Sequence, residues 1–206
     1  MGRSCPPSRM RRFFIAIDLD ERTRAQVASQ VATLRSQFRE VGRVSWVQPA
    51  RLHLTLRFLG DVGNGLVQRL VSAMNEPFPL APFGIALGEL GTFPASGIPR
   101  VLWLGLVEGG EQVITVRRIV DERLRGIGIP LEREAFSPHL TLARFRDRGK
   151  RGRTPFSRTS LGEKGTIPFL PTPFGRCQID RVTVYESRLS SAGPSYTTVA
   201  QGLLEP

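Results

Sequence analysis

Short apolar runs alternate along this chain with longer stretches in which apolar residues return every three or four positions. Phe13-Phe-Ile-Ala-Ile-Asp-Leu19 is β-favouring and ends in an acidic cluster, which predicts a strand. From Glu21 to Phe38 the apolar positions Ala25, Val27, Ala28, Val31, Leu34 and Phe38 recur at helical spacing with Arg and Gln opposite, and Gly42 follows, so a helix is expected. Residues 44–47 read as a second strand broken at Pro49, and residues 52–58 as a third that ends at Gly60-Asp61.

The same order returns further on. Residues 101–106 (Val-Leu-Trp-Leu-Gly-Leu) predict a strand and Gly109-Gly110 a break. Residues 111–125 predict a helix with Val113, Val116, Ile119, Val120 and Leu124 on one stripe, closed by Gly126 and Gly128. The chain then passes Pro138 into His139-Leu-Thr-Leu-Ala-Arg-Phe145. Ile15 to His53 and Val101 to His139 are each 38 residues, and the two histidines lie 86 apart. Two similar half-domains are implied, a pseudo-symmetric pair and not a solenoid, which needs three or more units. Further strands are expected at residues 84–91 and 179–186, with an edge strand at 196–200. Residues 146–176 differ in kind: from Arg144 to Lys164 eight basic residues face only Asp147 and Glu163, and Pro168, Pro171 and Pro173 follow. A long basic loop is expected there, with a plain solvated tether as the alternative.

The length of 206 residues fits one domain or two closely packed lobes, and a core of that size needs no disulfide or structural metal. Residues 1–11 read as a disordered basic extension and 12–206 as a single bilobal domain. The apolar run that follows the extension is cut by Asp18, Asp20 and Glu21, too short for a signal-peptide core or a membrane span. The net charge of +11 favours anionic partners, but all but two of the 29 basic residues are arginine, so part of that surplus is compositional bias. Cys5 and Cys177 stand apart from any metal-binding spacing, and a reduced, cytoplasmic monomer is the default expectation.

The chemistry concentrates in two residues. The chain has two histidines, and each opens the same tetrapeptide, His53-Leu-Thr-Leu56 and His139-Leu-Thr-Leu142. Composition alone would produce Leu-Thr-Leu after a given histidine roughly once in a thousand times. Strand alternation sends Leu54, Leu56 and Phe58 into a core and His53, Thr55 and Arg57 to the opposite face, with His139 and Thr141 likewise. Two imidazoles without carboxylates or thiolates beside them are a poor metal site, and no nucleophile elbow or catalytic cysteine motif is present. Two groups with ordinary pKa values near 6.5 can instead divide acid and base work at neutral pH, with threonine hydroxyls donating to phosphate oxygens.

The paired motifs, the opening Phe13-to-Leu19 run, the 52–60 and 101–105 stretches, Ser137-Pro-His-Leu-Thr-Leu-Ala-Arg144, and Tyr185-Glu-Ser-Arg-Leu with Gly193 and Tyr196 together resemble the two-histidine (2H) phosphoesterase superfamily, in its RNA 2′,3′-cyclic phosphodiesterase (2′-5′ RNA ligase-like) branch. The resemblance covers residues 12–204. It implies an α+β fold of two pseudo-symmetric lobes, each an antiparallel sheet with helices on its outer face and the active-site cleft between them. It also implies metal-independent hydrolysis of the terminal 2′,3′-cyclic phosphate of RNA, on RNA ends or nucleotides that bear it, to a 2′-phosphate, with no cofactor, His53 as the acid protonating the departing 3′ oxygen and His139 as the base activating water. Thr55, Thr141 and Arg144 would hold the phosphate.

Strict alternation places Arg144 on the core side, so the resemblance requires a strand end or bulge near Ala143. Arg57 is the arginine that alternation prefers, and both stay candidates. Phe14, opposite the Phe13-Ile15-Ile17 stripe, is a candidate to stack a base, with Trp46, Phe93 and Trp103 as others. Other cyclic or 2′-5′-linked nucleotides, in either direction of reaction, remain an alternative substrate class. A non-enzymatic RNA-binding protein is the alternative from outside enzymology.

Overall fold

A computed structural model describes residues 11–37, 44–96, 98–145, 173–191 and 193–206. The expected extension lies outside these except for Arg11, which opens a strand. Phe38, Gly42, Cys5 and the body of the 146–176 segment also lie outside them.

The first half runs β1 (Arg11–Asp18), α1 (Glu21–Gln37), β2 (Val44–Trp46), a 3₁₀ turn (Pro49–Arg51), β3 (His53–Val62), α2 (Asn64–Asn75) and β4 (Phe78–Pro79). The second runs β5 (Phe83–Phe93), β6 (Val101–Glu108), α3 (Gly110–Gly126), β7 (His139–Phe145), β8 (Gly175–Ile179), β9 (Arg181–Ser190) and β10 (Gly193–Glu205). The strands join in the order β4-β10-β9-β1-β3-β7-β6-β5-β8, with β2 beside β7, and every pairing except β10 with β4 is antiparallel. The lobes meet where β3 and β7 touch at a single register pair, Leu54 opposite Leu140. Each leucine directly follows its histidine, so the pseudo-dyad passes between the two motifs.

Helix α1 starts where the acidic cluster predicts. Asp20 is its cap, with Oδ1 accepting from the Thr23 backbone N–H at 2.6 Å. Val27, Val31 and Leu34 are buried on one stripe. That stripe covers the other lobe: Thr23 Oγ1 donates to the Arg176 carbonyl at 2.5 Å and Gln30 Nε2 to the Phe174 carbonyl at 3.0 Å, both at β8. Helix α3 crosses in the opposite sense, from β6 to the outer face of β3 and to α2. Arg117 reaches the Leu56 carbonyl, and Arg123 donates to the Ala73 carbonyl at 3.1 Å. Both halves of the sheet are therefore covered by helices on the outer face, with α1 and α3 each covering the lobe opposite the strand it follows and α2 packing on β9 and β10.

The crossing of α3 is fixed by ions. Arg57 and Arg117, both nearly buried, meet Asp121 and Glu132: Arg117 Nε lies 2.8 Å from Asp121 and its Nη2 3.0 Å from Glu132, while Arg57 Nη1 stands 3.3 Å from Glu132 and 3.5 Å from Asp121. Such a cluster holds together only while both signs are present, because an unpaired charge at this depth is costly.

Helix α2 and strands β4 and β8 were not foreseen. Helix α2 buries Val67, Leu70 and Met74, a helical spacing framed by Gly63 and Gly65. The strand expected at residues 179–186 is β9, which begins at Arg181 and pairs with β1, while Ile179, expected at its start, instead ends β8, which pairs with β5. The chain passes from one lobe to the other at Asp180. Cys177 on β8 is buried, accepts from the Asp20 N–H at 3.2 Å, and has its thiol pushed up to about 11 by burial, which leaves it unreactive.

Candidate active site

Each motif strand carries the same irregularity at the same place. Between β1 and β3, Ile15 faces Arg57 but Ala16 faces Thr55; between β6 and β7, Leu102 faces Ala143 but Trp103 faces Thr141. One residue is skipped in each, Leu56 and Leu142, and each skip is a bulge that inverts the alternation beyond it. Up to the bulge the expected phase holds, with Leu54, Leu56, Leu140 and Leu142 in the core and His53, Thr55, His139 and Thr141 half-buried on the other face. This register equates Ile15 with Leu102, one residue along from the Val101 that equal spacing had picked.

The bulge decides between the two arginines. In the second copy it sends Ala143 into the core and Arg144 to the cleft, as the resemblance required. In the first copy it sends Arg57 away from the cleft. Arg57 is not beside His53 as alternation predicted: it is 5% exposed under α3, donating to the Pro130 carbonyl at 2.5 Å within the ion cluster. Phe58, expected in the core, takes the cleft position equivalent to Arg144 and is 59% exposed.

A cavity of about 550 Å³ opens on this face, lined by His53, Thr55, Thr141 and Arg144 among others. His139 lies outside that lining, on the same face of β7 as Thr141 and one residue beyond the Leu54–Leu140 pair. Antiparallel register about that pair sets His53 beside Thr141 and Thr55 beside His139. The lining also holds Arg12 and Arg51 and, among the described residues, no carboxylate, a potential suited to an anion. The residue pattern marks out neither arginine for the site, although Arg51 stands two residues before His53. Among the described residues no group of three or more His, Cys, Asp or Glu side chains gathers.

Both imidazoles are held alike. Nδ1 of His53 lies 2.8 Å from the Arg51 carbonyl and Nδ1 of His139 lies 2.8 Å from the Ser137 carbonyl, in each case two residues upstream. A carbonyl only accepts, so Nδ1 carries the proton and Nε2 is left to exchange one with a substrate. Each ring is also walled by aromatics. His53 stacks on Phe14 at 4.9 Å and meets Tyr196 edge-on at 5.6 Å; His139 meets Phe93 edge-on at 5.0 Å, with Trp103 at 6.3 Å. Gly91 makes this second wall possible, because a Cβ there would run into the Trp103 ring.

Phe14 lines the cavity but is 3% exposed, packed between His53 and Tyr185, the latter at 5.2 Å. So buried, it offers no open face to a base, whereas Phe58, also on the cavity, is exposed. Trp46 also lines the cavity, with Arg35 over its ring at 5.4 Å, whereas Phe93 and Trp103 serve the His139 wall.

Burial lowers the pKa of both histidines. At His53 the Arg51 carbonyl and the Asp18 charge oppose that shift; at His139 the Ser137 carbonyl opposes it and Arg144 adds to it.

Known proteins resemble this chain in sequence and fold. The profile described as LigT like Phosphoesterase matches residues 17–103. The RNA 2′,3′-cyclic phosphodiesterase of Methanothermobacter thermautotrophicus is 34% identical over 187 residues, 90% of this chain and 95% of its own. Among solved structures, a Thermus thermophilus protein superposes with a TM-score of 0.73 at 25% identity, over 94% of this chain and 97% of that one. LigT of E. coli in complex with 3′-AMP superposes at 0.70 with 25% identity, over 96% and 99%. Two carbonyl-tethered histidines on duplicated, bulged strands and this extent of likeness lead to one conclusion: the chain belongs to the LigT-like phosphoesterase family of the 2H superfamily.

Proposed function

We propose that this protein hydrolyses the 2′,3′-cyclic phosphate at an RNA end to a 2′-phosphate, without a metal, by paired histidine acid–base catalysis. The observation that carries the reading is the symmetric pair: two Nδ1-tethered imidazoles on one face of the sheet, each with a threonine two residues on, beside an arginine-bearing cavity that His53 and both threonines line. The name of the Methanothermobacter relative and the nucleotide held by E. coli LigT support the substrate class. Water attacks phosphorus as its proton passes to Nε2 of His139, the bond from phosphorus to the 3′ oxygen breaks, and His53 gives its proton to that oxygen. Thr55, Thr141 and Arg144 donate to the non-bridging oxygens, where charge concentrates in the transition state. Proton exchange with solvent then restores both rings.

The pH profile follows from the shifts. For one acid and one base, kcat/KM peaks midway between their two pKa values. Both histidines lie below the ordinary 6.5, so the maximum is expected below pH 6.5 and the rate should fall as pH rises past neutrality. A maximum well above pH 7 in a kcat/KM profile would contradict this.

The reading is tested by turnover in EDTA of three substrates: a short RNA ending in a 2′,3′-cyclic phosphate, a 3′,5′-cyclic nucleotide, and a 2′-5′-linked dinucleotide. Selective turnover of the first supports the proposal. Preference for another moves the substrate class, and salt-sensitive binding without any turnover favours the binding-protein alternative.

A further inference from the structure

The two halves of the site share histidine, threonine and bulge, and differ in what faces the histidine across the sheet. In β1 the residue paired with His53 is Asp18; in β6 the residue paired with His139 is Gly105, which has no side chain. Asp18 is held from the neighbouring strand. Thr183 Oγ1 donates to its Oδ2 at 2.9 Å and the Tyr185 hydroxyl to its Oδ1 at 2.8 Å. Thr183 is fully buried and accepts from Gln201 Nε2 at 3.3 Å, which directs its own proton to Asp18. Tyr185 stays a neutral donor, since burial and the Asp18 charge push its pKa upward. Among the described residues no ion pair takes up the Asp18 charge; Arg181 feels it but is bound to Asp180 at 2.9 Å.

We infer that Asp18 is a positioning residue for catalysis: its carboxylate, fixed by Thr183 and Tyr185, keeps the proton on His53, and the lack of a counterpart at Gly105 makes His53 the acid and His139 the base. The inference rests on the acid–base reading of this site and says why two imidazoles in matching surroundings take different roles. Other ionisable groups surround His53. Arg12 on β1, Arg51 in the 3₁₀ turn and Arg144 on β7 line the cleft, Tyr196 on β10 packs against the ring and Tyr185 on β9 lies behind Phe14, yet Asp18 is the charge whose field acts on it. Burial disfavours a protonated ring, and Asp18 offsets that cost on one histidine only. Arg144 pushes the other histidine toward its neutral form.

With only two histidines in the chain, NMR titration of the imidazole Cε1–H signals follows each ring separately, with assignment by His53→Ala. In Asp18→Asn the His53 midpoint is expected to fall by about half to one unit, the size of a lost neighbouring charge, while His139 holds. On RNA 2′,3′-cyclic phosphate, kcat/KM should then be unchanged below both midpoints and reduced roughly three- to tenfold above them, the same shift expressed as a rate. Asp18→Glu, which keeps the charge, should return the midpoint at least halfway, and Asp18→Ser serves in place of Asn should that variant not fold.

An unmoved His53 midpoint, or a rate loss equal at every pH, overturns the inference. A gain in rate at low pH reverses the roles of the histidines and overturns it too. The titration needs no turnover, so a wild-type protein inactive on cyclic phosphates would remove the acid–base assignment while the coupling of Asp18 to His53 is still decided.

Discussion

His53→Ala and His139→Ala should each lower kcat on RNA 2′,3′-cyclic phosphate by about 10²–10⁴, the range for loss of a general acid or base, with the fold intact. Both rings are half-buried on the open face, and although Phe14 stacks on His53 the main apolar cluster lies on the other side of the strands, so the losses belong to the chemistry. The acid and base act in one step, so the double variant should be little worse than the poorer single one. The two should separate on a diester with a good leaving group such as p-nitrophenolate. That oxygen departs without a proton, so activity recovers in His53→Ala and stays lost in His139→Ala. Rates on both substrates, with circular dichroism to verify folding, check this. Equal recovery in both variants would mean the roles are not divided in this way.

Arg144→Gln and Arg57→Gln should fail in opposite ways. Arg144 is exposed on the cleft, so its loss should leave stability within about 0.5 kcal/mol and remove a charge-assisted hydrogen bond worth about 1.5–3 kcal/mol, roughly 10- to 100-fold in kcat/KM. Arg57 is buried against Asp121, Glu132 and the Pro130 carbonyl, and its removal should cost about 2–4 kcal/mol of stability, with little change in kcat per folded molecule. For a chain of this size that is a fall in Tm of roughly 5–15 °C. Thermal melts beside kcat/KM distinguish the pair. An Arg57 variant that keeps its Tm but loses activity would return Arg57 to the cleft.

These two arginines also mark the limit of what the residue pattern conveys. The histidine and threonine positions were legible because alternation up to the bulge is a local property of the strand. The bulges were not, because a skipped residue depends on how β1 and β6 lie against the motif strands, and Arg57-Phe58 looks the same in sequence on either phase. Only the family resemblance, which places Arg144 at the phosphate, pointed to a bulge. Helix α2 had a signal in Val67, Leu70 and Met74, obscured by the glycines at its start. The run from Ile179 to Glu186 reads as one strand and hides the change of lobe at Asp180, since a strand's partner is set by tertiary pairing and not by its composition. In the same way the stripes of α1 and α3 announced a buried face without saying that each covers the opposite lobe. Asp18 was read as part of the acidic stop to a strand, and its place opposite His53 emerges only from the register.

The central claim is tested most directly by following purified protein with a short RNA 2′,3′-cyclic phosphate in EDTA by ³¹P NMR, with folded His139→Ala alongside. The account predicts that the cyclic phosphate signal is replaced by a 2′-phosphate in the wild type and persists in the variant. A 3′-phosphate product, arrest by EDTA, or equal conversion by His139→Ala would contradict it.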